Sequence, residues 1–262
     1  MKIGIIGAGN MGGAIARGLA ADPGFCTADI TVCSPNNHGE LDALKADYAD
    51  INVSTDNAQA IADTDVIIVA VKPWLVYDVM DPLSGKIKWE KQMLVSVAAG
   101  ISLSELEDLS LCTPPAVFRV MPNTAISQRK SMTFICSHGA SEEQVKAVSG
   151  LFERLGAVML IEEQQMNACM ALASCGIAYA MRYVRAASEG GVELGVKADV
   201  AKEIVLHTLE GAVALLQASG NHPEAEIDKV TTPGGLTIKG LNAMEAHGFT
   251  TSVIEGLKAS AK

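Results

Sequence analysis

The sequence predicts an α/β fold in which a doubly wound, mainly parallel sheet is followed by a second domain made only of helices. Three observations predict this plan. Up to about residue 160, short β-branched apolar runs alternate with polar, helix-compatible segments. A glycine-rich turn follows the first of these runs. After Glu162, helix-forming Ala, Met, Leu, Glu and Gln dominate, and the strand pattern disappears. We therefore predict one domain over residues 1–160 and another over residues 161–262.

The composition excludes several classes of protein. Of the 262 residues, 49% are hydrophobic and 19% are charged, so a substantial core is available and a disordered chain is excluded. The net charge of −10 disfavours nucleic acid and anionic membrane surfaces as partners, because domains that bind them are usually basic. No apolar stretch reaches the roughly 18 residues of a membrane span, and Gly4 interrupts the apolar run that a signal peptide would need. We expect a cytoplasmic protein.

The predicted strands of the first domain are continuously apolar, as is typical of parallel strands buried on both faces. The first helix is predicted over residues 11–21, and Asp22-Pro23-Gly24 ends it. The strands are predicted over residues 3–6, 30–33, 66–71, 93–97, 116–121, 133–136 and 157–161.

Four helices are predicted in the second domain. The first covers residues 163–190, and the second covers residues 198–218 with Asp199 as its N-cap and Gly220 beyond its end. The third covers residues 233–246, and a short fourth follows Thr250. A domain of about 100 residues is small for a self-sufficient core. The long first helix is also rich in alanine, so we expect the domain to pack against a copy of itself.

The glycine-rich turn predicts a dinucleotide site. It reads Gly7-Ala8-Gly9-Asn10-Met11-Gly12 and lies between a strand and a helix. In such a unit the first glycine permits a tight turn, the second lets a pyrophosphate approach the backbone, and the third lets helix and strand pack closely. Free N–H groups and the positive end of the helix dipole then bind the phosphates.

The end of the second strand predicts which dinucleotide is bound. An NAD site usually has an acidic residue there, which binds the ribose 2′-hydroxyl. Here no acidic residue precedes Glu40, and Ser34, Asn36 and Asn37 could donate hydrogen bonds to a 2′-phosphate. The sequence therefore favours NADPH, with NADH as the alternative, although the arginine usual in NADP sites is also absent.

Three further loops are predicted at the carboxyl ends of strands, where open α/β sheets bind ligands. They comprise Ala70-Val71-Lys72-Pro73, Val97-Ala98-Ala99-Gly100 and Met121-Pro122-Asn123-Thr124. For Lys72 a cofactor contact and a solvated end-of-strand lysine are equally compatible with the residue type.

Metal and disulfide sites are not predicted. The six cysteines form no CxxC pair and the five histidines have no i,i+4 histidine partner. We expect the cysteines to be small core residues in a reducing compartment.

The segment Thr231-Thr232-Pro233-Gly234-Gly235-Leu236-Thr237 predicts an anion site. A threonine N-cap with proline at the first helical position is a good helix start. Each glycine costs a helix about 1 kcal/mol relative to alanine, which is explained if the backbone must approach a ligand. Free N–H groups of residues 234–237 would then hold a carboxylate, with the hydroxyls of Thr232 and Thr237 as further donors. The alternative is a capped helix with a flexible first turn.

Six segments, in order along essentially the whole chain, resemble those of pyrroline-5-carboxylate reductases, the enzymes of the last step of proline biosynthesis. They are residues 7–12, 54–57, 70–73, 97–100, 119–124 and the stretch from His222-Pro223 through Thr237. Residues 227–245 resemble the family signature and are the most specific of these. Residues 173–178 (Ala-Ser-Cys-Gly-Ile-Ala) depart from the family's glycine- and proline-rich pattern at this place, and Gly220 takes a position that is often acidic.

The resemblance implies a Rossmann-type domain that binds NAD(P)H and a helical domain that intertwines with a second subunit. It implies an active site at that dimer interface and larger rings of dimers, such as a decamer. It further implies that Asn57 and the loop 70–73 lie along the cofactor. In the substrate site, it implies that Thr237 is the hydrogen-bonding partner of the substrate and that the Pro-Gly-Gly turn holds the substrate carboxylate. Glu162 is implied to lie near the substrate.

The implied reaction is reduction of a cyclic imine that carries a carboxylate. Two other functions compete with it. A β-hydroxyacid dehydrogenase resembles this two-domain plan, but it would carry a lysine on the helix after the sheet, and residues 163–190 contain none. A non-catalytic NADP sensor would have no need of the intact loop around Thr237.

Overall fold

The fold is described by a computed structural model for residues 1–110 and 115–261. The chain forms two compact units, Met1–Ser174 and Cys175–Lys262. The boundary between these units lies fourteen residues beyond the predicted domain boundary, which was placed after residue 160, where the last strand ends. Cys112, one of the six cysteines, lies outside the described residues.

The first unit contains one eight-stranded sheet. The strands from β1 to β6 are mutually parallel, β7 is antiparallel to β6, and β8 is parallel to β7. Their order is β3-β2-β1-β4-β5-β6-β7-β8, so the direction of winding reverses between β1 and β4. The strands are β1 (Ile3–Ile6), β2 (Ile30–Cys33), β3 (Asn52–Ser54), β4 (Val66–Val69), β5 (Met93–Ser96), β6 (Val117–Met121), β7 (Ser131–His138) and β8 (Gly156–Leu160).

This sheet confirms the predicted doubly wound fold. All seven predicted strands are present, and their ends differ from the predicted ones by at most two residues. The short edge strand β3 was not predicted, because Asn52-Val53-Ser54 carries one apolar residue and is partly exposed.

Helices cover both faces of the sheet and bury separate hydrophobic clusters. One cluster surrounds Ile15, Phe118 and Phe152, and the other surrounds Met80 and Leu94. The helices are α1 (Asn10–Ala20), α2 (His38–Asp47), α3 (Asn57–Ile61), α4 (Val76–Ser84), α5 (Leu103–Glu107), α6 (Glu142–Glu153) and α7 (Met166–Met170).

The long helix predicted over residues 163–190 is interrupted. A 3-10 turn (Glu163–Gln165) precedes α7, and a π-helical turn (Ala171–Cys175) separates α7 from α8 (Gly176–Glu193). The hydroxyl of Ser174 donates a hydrogen bond to the Pro122 carbonyl oxygen (3.0 Å), which ties the wide turn to the loop after β6. Residues 173–175 of this turn belong to the segment 173–178 that departs from the family pattern.

The second unit is helical, as predicted. Its further helices are α9 (Ala198–Ser219), α10 (Pro223–Lys229), α11 (Leu236–Ala246) and α12 (Phe249–Ser260). Gly220, with φ +62°, lies beyond the end of α9 as predicted. The predicted N-cap Asp199 is wrong, since Lys197 holds that position and Asp199 lies in the first turn, where a carboxylate still faces the positive end of the helix dipole. Helix α10 was not predicted.

No helix within residues 1–110 and 115–261 is both long and apolar enough to cross a membrane.

Candidate active site

The parallel strands bring the predicted cofactor loops to one edge of the sheet. The loops that begin at Gly7, Ser34, Ala70, Val97 and Pro122 each follow the carboxyl end of a parallel strand. Backbone hydrogen bonds join the start of a loop to the end of the neighbouring strand: Gly7 N–H donates to Cys33 O (2.8 Å), and Ala70 N–H donates to Ile6 O (2.8 Å). This edge includes the point where the winding reverses, which is where such sheets bind ligands.

The three glycines of the first loop meet three different requirements. Gly7 has φ +104°, a conformation that other residues rarely adopt. A Cβ on Gly12 would collide with Gly7 O and lie 3.0 Å from Ala70 Cβ, so helix and strand pack too closely for a side chain. A Cβ on Gly9, by contrast, would meet nothing within 4 Å. The space above Gly9 at the start of α1 therefore fits a pyrophosphate.

Between Gly7 and Gly12, Ala8 is buried, whereas Asn10 and Met11 form the first turn of α1. Gly9 caps that helix without any side-chain hydrogen bond, so the first N–H groups of α1 are available to an anion.

The loop after β2 contains the residues expected at the ribose. Ser34 is buried and its N–H donates to Ser54 O (3.1 Å), whereas Asn36 is exposed. The Asn37 amide donates to Ala8 O (2.8 Å), so this side chain is bound to the glycine loop. Glu40 is paired with Arg17 of α1.

Asn57, the first residue of α3, has a buried side-chain oxygen with no hydrogen-bond partner among the described residues. Such an atom is costly to leave unpaired, so it fits a site that a bound group completes.

The loops after β4 and β5 are partly buried against the sheet. Ala70 and Val71 are half-buried and Lys72 is exposed, and Pro73 begins a short 3-10 turn. Val97 and Ala98 are buried, whereas Ala99 is exposed and precedes Gly100, whose φ is +84°. In the loop after β6, the Asn123 side chain accepts from Ala125 N–H (3.0 Å) and shapes the turn.

The Thr231–Thr237 segment belongs to the second unit, and it departs from the predicted helix start. Gly235 N–H donates to Thr232 O (2.9 Å), and Gly234 has φ +71°. Proline at the second and glycine at the third position are the residues of a type II β-turn. The predicted Thr232 cap with Pro233 as first helical residue is therefore wrong, because this turn precedes α11 and Gly235 is its N-cap.

The geometry of the turn also explains why glycine occupies positions 234 and 235. Gly234 needs a positive φ, and a Cβ on Gly235 would collide with the Thr232 hydroxyl. The N–H of Gly235 is used in the turn, so it is not one of the free donors predicted over residues 234–237. At Leu236 and Thr237, the first residues of α11, no side chain caps the N–H groups.

Glu162 has a structural role. It follows β8, caps the Glu163–Gln165 turn, and its carboxylate accepts a hydrogen bond from Gln164 (2.7 Å). The neighbouring Glu163, which sequence reasoning missed, accepts hydrogen bonds from Leu103 N–H (2.8 Å) and Arg119 Nη1 (3.1 Å). No sequence signal identified this contact, because its partners are 60 and 44 residues away.

Cys33, beside the ribose loop, is an inert thiol. Burial, with Asp56 nearby, raises the pKa of Cys33 to about 11, so the thiol stays protonated at neutral pH. The cysteines at 26, 33, 136, 169 and 175 are all free. No group of three or more His, Cys, Asp or Glu side chains that could hold a metal occurs in the described part of the chain.

Comparison with known proteins identifies the family. The chain is 33% identical to pyrroline-5-carboxylate reductase 2 of Bacillus subtilis (strain 168), covering 100% of this chain and 93% of that protein. The chain belongs to the pyrroline-5-carboxylate reductase family. It is also 36% identical to pyrroline-5-carboxylate reductase 1 of Dictyostelium discoideum, and it spans 48% of that longer protein.

Two family models match parts of the chain. One, described as pyrroline-5-carboxylate reductase dimerisation, matches residues 163–262, which supports homo-oligomerisation. The other, described as NADP oxidoreductase, coenzyme F420-dependent, matches residues 2–100 and agrees with the dinucleotide site.

Solved structures of this family have the same fold. The pyrroline carboxylate reductase of Plasmodium falciparum with NADP bound gives a TM-score of 0.89 at 25% identity, covering 100% of this chain and 95% of that chain. The Streptococcus pyogenes enzyme gives 0.87 at 29% identity, covering 100% and 96%.

Proposed function

We propose that this protein is a pyrroline-5-carboxylate reductase, which reduces the cyclic imine 1-pyrroline-5-carboxylate to proline with NADPH. The observation that carries this proposal is the full-length match to relatives of that name, at 33% identity over 93% of the Bacillus subtilis protein. The geometry agrees with it, since a dinucleotide site and an uncapped helix start beside a threonine occur in one chain.

The residues at the carboxyl edge of the sheet fit the cofactor. The N–H groups at the start of α1 bind the pyrophosphate above Gly9. Ser34 and Asn36 bind the 2′-phosphate, and Asn57 completes its hydrogen bonding against the bound cofactor. The loops 70–73 and 97–99 line the remainder of the site. When bound, NADPH supplies the hydride that reduces the carbon–nitrogen double bond.

The start of α11 fits the substrate. The substrate carboxylate binds the free N–H groups of Leu236 and Thr237 beside the Gly234-Gly235 turn, and the Thr232 hydroxyl is a further donor. The imine nitrogen, in its protonated form, donates a hydrogen bond to the Thr237 hydroxyl oxygen. A threonine is too weak an acid to protonate that nitrogen by itself, so the imine binds in its protonated form. Most of the rate enhancement then comes from positioning. Glu162 stays a prediction for this site, with capping as its observed role.

Steady-state oxidation of NADPH by purified protein, with pyrroline-5-carboxylate as substrate, tests the proposal. We expect turnover to be saturable in imine and proline to be the product. Absence of turnover with this imine, together with normal NADPH binding, would favour the non-catalytic sensor.

The same assay with NADH tests the cofactor preference. No carboxylate follows β2 until Glu40, and Glu40 is already paired with Arg17. We therefore expect a lower KM for NADPH than for NADH. A clear preference for NADH would contradict the assignment of Ser34 and Asn36 to the 2′-phosphate.

We further propose that the active site lies at a dimer interface, that dimers assemble into a larger ring such as a decamer, and that the protein is cytoplasmic. The match of residues 163–262 to a dimerisation domain supports the first, and the free cysteines agree with a reducing compartment. The mass of the assembly in solution tests the ring, and cell fractionation tests the location.

A further inference from the structure

Glu163 joins three parts of the first unit that are distant in sequence. Its Oε1 accepts hydrogen bonds from Leu103 N–H (2.8 Å) and from Arg119 Nη1 (3.1 Å). Leu103 is the first residue of α5, Arg119 lies in β6, and Glu163 begins the turn after β8.

Helix α5 depends on such bonds for its position. It has five residues, which is too short for a helix to be stable by itself. Ser102 and Glu105 form a capping box within the element, with Glu105 N–H donating to Ser102 Oγ (3.2 Å) and Ser102 N–H to Glu105 Oε2 (2.8 Å). The bond from Leu103 N–H to Glu163 connects this helix start to another part of the fold. Two residues, 101 and 102, separate helix α5 from the loop 97–100.

Arg119 holds the Glu163 carboxylate in place. The Arg119 side chain is about nine-tenths buried, and its Nε has no hydrogen-bond partner among the described residues. A buried guanidinium needs a nearby carboxylate, because an unpaired buried charge is strongly destabilising. Glu163 therefore has two separate tasks, to accept from Leu103 N–H and to neutralise Arg119.

We propose that Glu163 is a positioning residue for the cofactor, because its bond to Leu103 N–H fixes the start of α5 and with it the loop 97–100. This inference rests on the proposed function, in which that loop lines the NADPH site.

Two conservative variants separate the two tasks. Glu163→Gln keeps the length of the side chain and an acceptor oxygen for Leu103 N–H, but it loses the charge that neutralises Arg119. Glu163→Asp keeps the negative charge near Arg119 but withdraws the shared acceptor oxygen by about 1.5 Å. The hydrogen bond from Leu103 N–H is then lost and the contact with Arg119 Nη1 lengthens, whereas the attraction between the two charges remains. NADPH affinity is measured by fluorescence titration without imine, beside Tm, KM and kcat.

We expect Glu163→Asp to raise the Kd for NADPH at least tenfold and to raise the KM for NADPH in parallel, while kcat changes less than threefold. Glu163→Gln lowers Tm more than Glu163→Asp does, but its NADPH Kd stays within threefold of wild type. Lys88→Gln, which removes an exposed ion pair with Asp63 (3.3 Å) in the same unit, is the matched control and leaves the Kd unchanged.

Wild-type affinity in Glu163→Asp would overturn the proposal, and so would an equal rise in Kd in both Glu163 variants. Failure of the wild-type protein itself to bind NADPH would overturn the proposed function as well. The two failures are therefore distinguishable.

Discussion

Gly9 and Gly12 lie in the same loop, yet an alanine side chain would meet different surroundings at each. Nothing lies within 4 Å of a Cβ on Gly9, and its φ of −80° is an ordinary conformation for alanine. We expect Gly9→Ala to leave Tm unchanged and to weaken NADPH binding at least tenfold, about 1.4 kcal/mol, because the new methyl group occupies the pyrophosphate space. Calorimetric titration and thermal unfolding measure the two effects.

Gly12→Ala is expected to behave in the opposite way and to lower Tm, because its methyl group would collide with Gly7 O. Gly85→Ala is the control, since its surroundings are also open and it lies at the end of α4, outside the proposed site. Normal NADPH affinity in Gly9→Ala would remove the pyrophosphate from this loop.

Thr237 carries the proposed contact with the imine nitrogen. Removal of one hydrogen-bonding group at a reacting centre typically costs about 100-fold in kcat. We expect Thr237→Ala to lose turnover by about that factor while NADPH affinity in the absence of imine is unchanged. Thr237→Ser keeps the hydroxyl and serves as the matched variant. Near-normal turnover in Thr237→Ala would exclude the residue from the mechanism.

At the residue scale, the sequence identifies groups whose chemistry is local. The three glycines of the first loop were predicted because each role depends on neighbours in the strand–loop–helix unit. Glu163 was missed, because its role depends on a contact with Arg119 that only the folded sheet creates. The turn at Thr232 was read as a helix cap because proline and threonine suit both structures.

Asp22 connects the end of α1 to two other elements. Its carboxylate accepts from Arg154 Nη1 (2.6 Å) and lies 3.5 Å from Arg129 Nη2. Hydrogen bonds from Arg154 and Gly24 N–H hold the pKa of Asp22 below its usual value. We expect Asp22→Asn to lower the free energy of unfolding by about 2 kcal/mol at pH 7, since a hydrogen-bonded charge is lost.

The effect of Asp22 depends on pH in a defined direction. A lowered pKa in the folded state stabilises the protein above the unfolded pKa of about 3.9, and this stabilisation disappears as the pH falls through the folded pKa. Denaturant unfolding should therefore show that the free energy of unfolding of wild type exceeds that of Asp22→Asn by a constant amount from pH 5 to 7. This difference should shrink below pH 4. Asp42→Asn, which changes an exposed carboxylate on α2, should show no such difference.

At the element scale, long apolar or periodic segments were predictable and short or polar ones were not. The apolar pattern located β7, but it could not tell that β7 runs antiparallel to β6, because a buried strand is apolar in either direction. Helix α10 was missed since Ala225 and Ile227 are its only apolar residues besides its proline. Composition could not indicate the π-helical turn at residues 171–175, whose Ser174 bonds to the loop after β6.

At the scale of the whole molecule, the second unit exposes many large apolar side chains. On α9, Ile204 is 53% and Leu215 is 60% exposed, and Ala201 is the one buried residue of that helix. Ile204 and Leu215 are eleven residues apart, about three helical turns, so they share a face. Such a face indicates an interface with a second copy.

We expect the wild-type chain to sediment as a dimer or a larger multiple. The combined substitution Ile204→Asp with Leu215→Asp should shift the mass towards the monomer at micromolar concentration, because it would bury two unpaired charges. Lys202→Gln on the same helix is the control. An unchanged mass in the double variant would show that this face of α9 lies outside the interface.

The hydrogen bond from the Asn37 amide to the Ala8 carbonyl oxygen has a consequence for retargeting the coenzyme. Substitutions that aim to change the preference of a site from NADP to NAD alter the residues that follow the second strand. In this chain the Asn37 amide also braces the glycine turn, which is the proposed binding place of the diphosphate. Redesign should therefore vary Ser34 and Asn36 and keep Asn37. Substitution of Asn37 would lower the affinity for both coenzymes and not only change the preference between them.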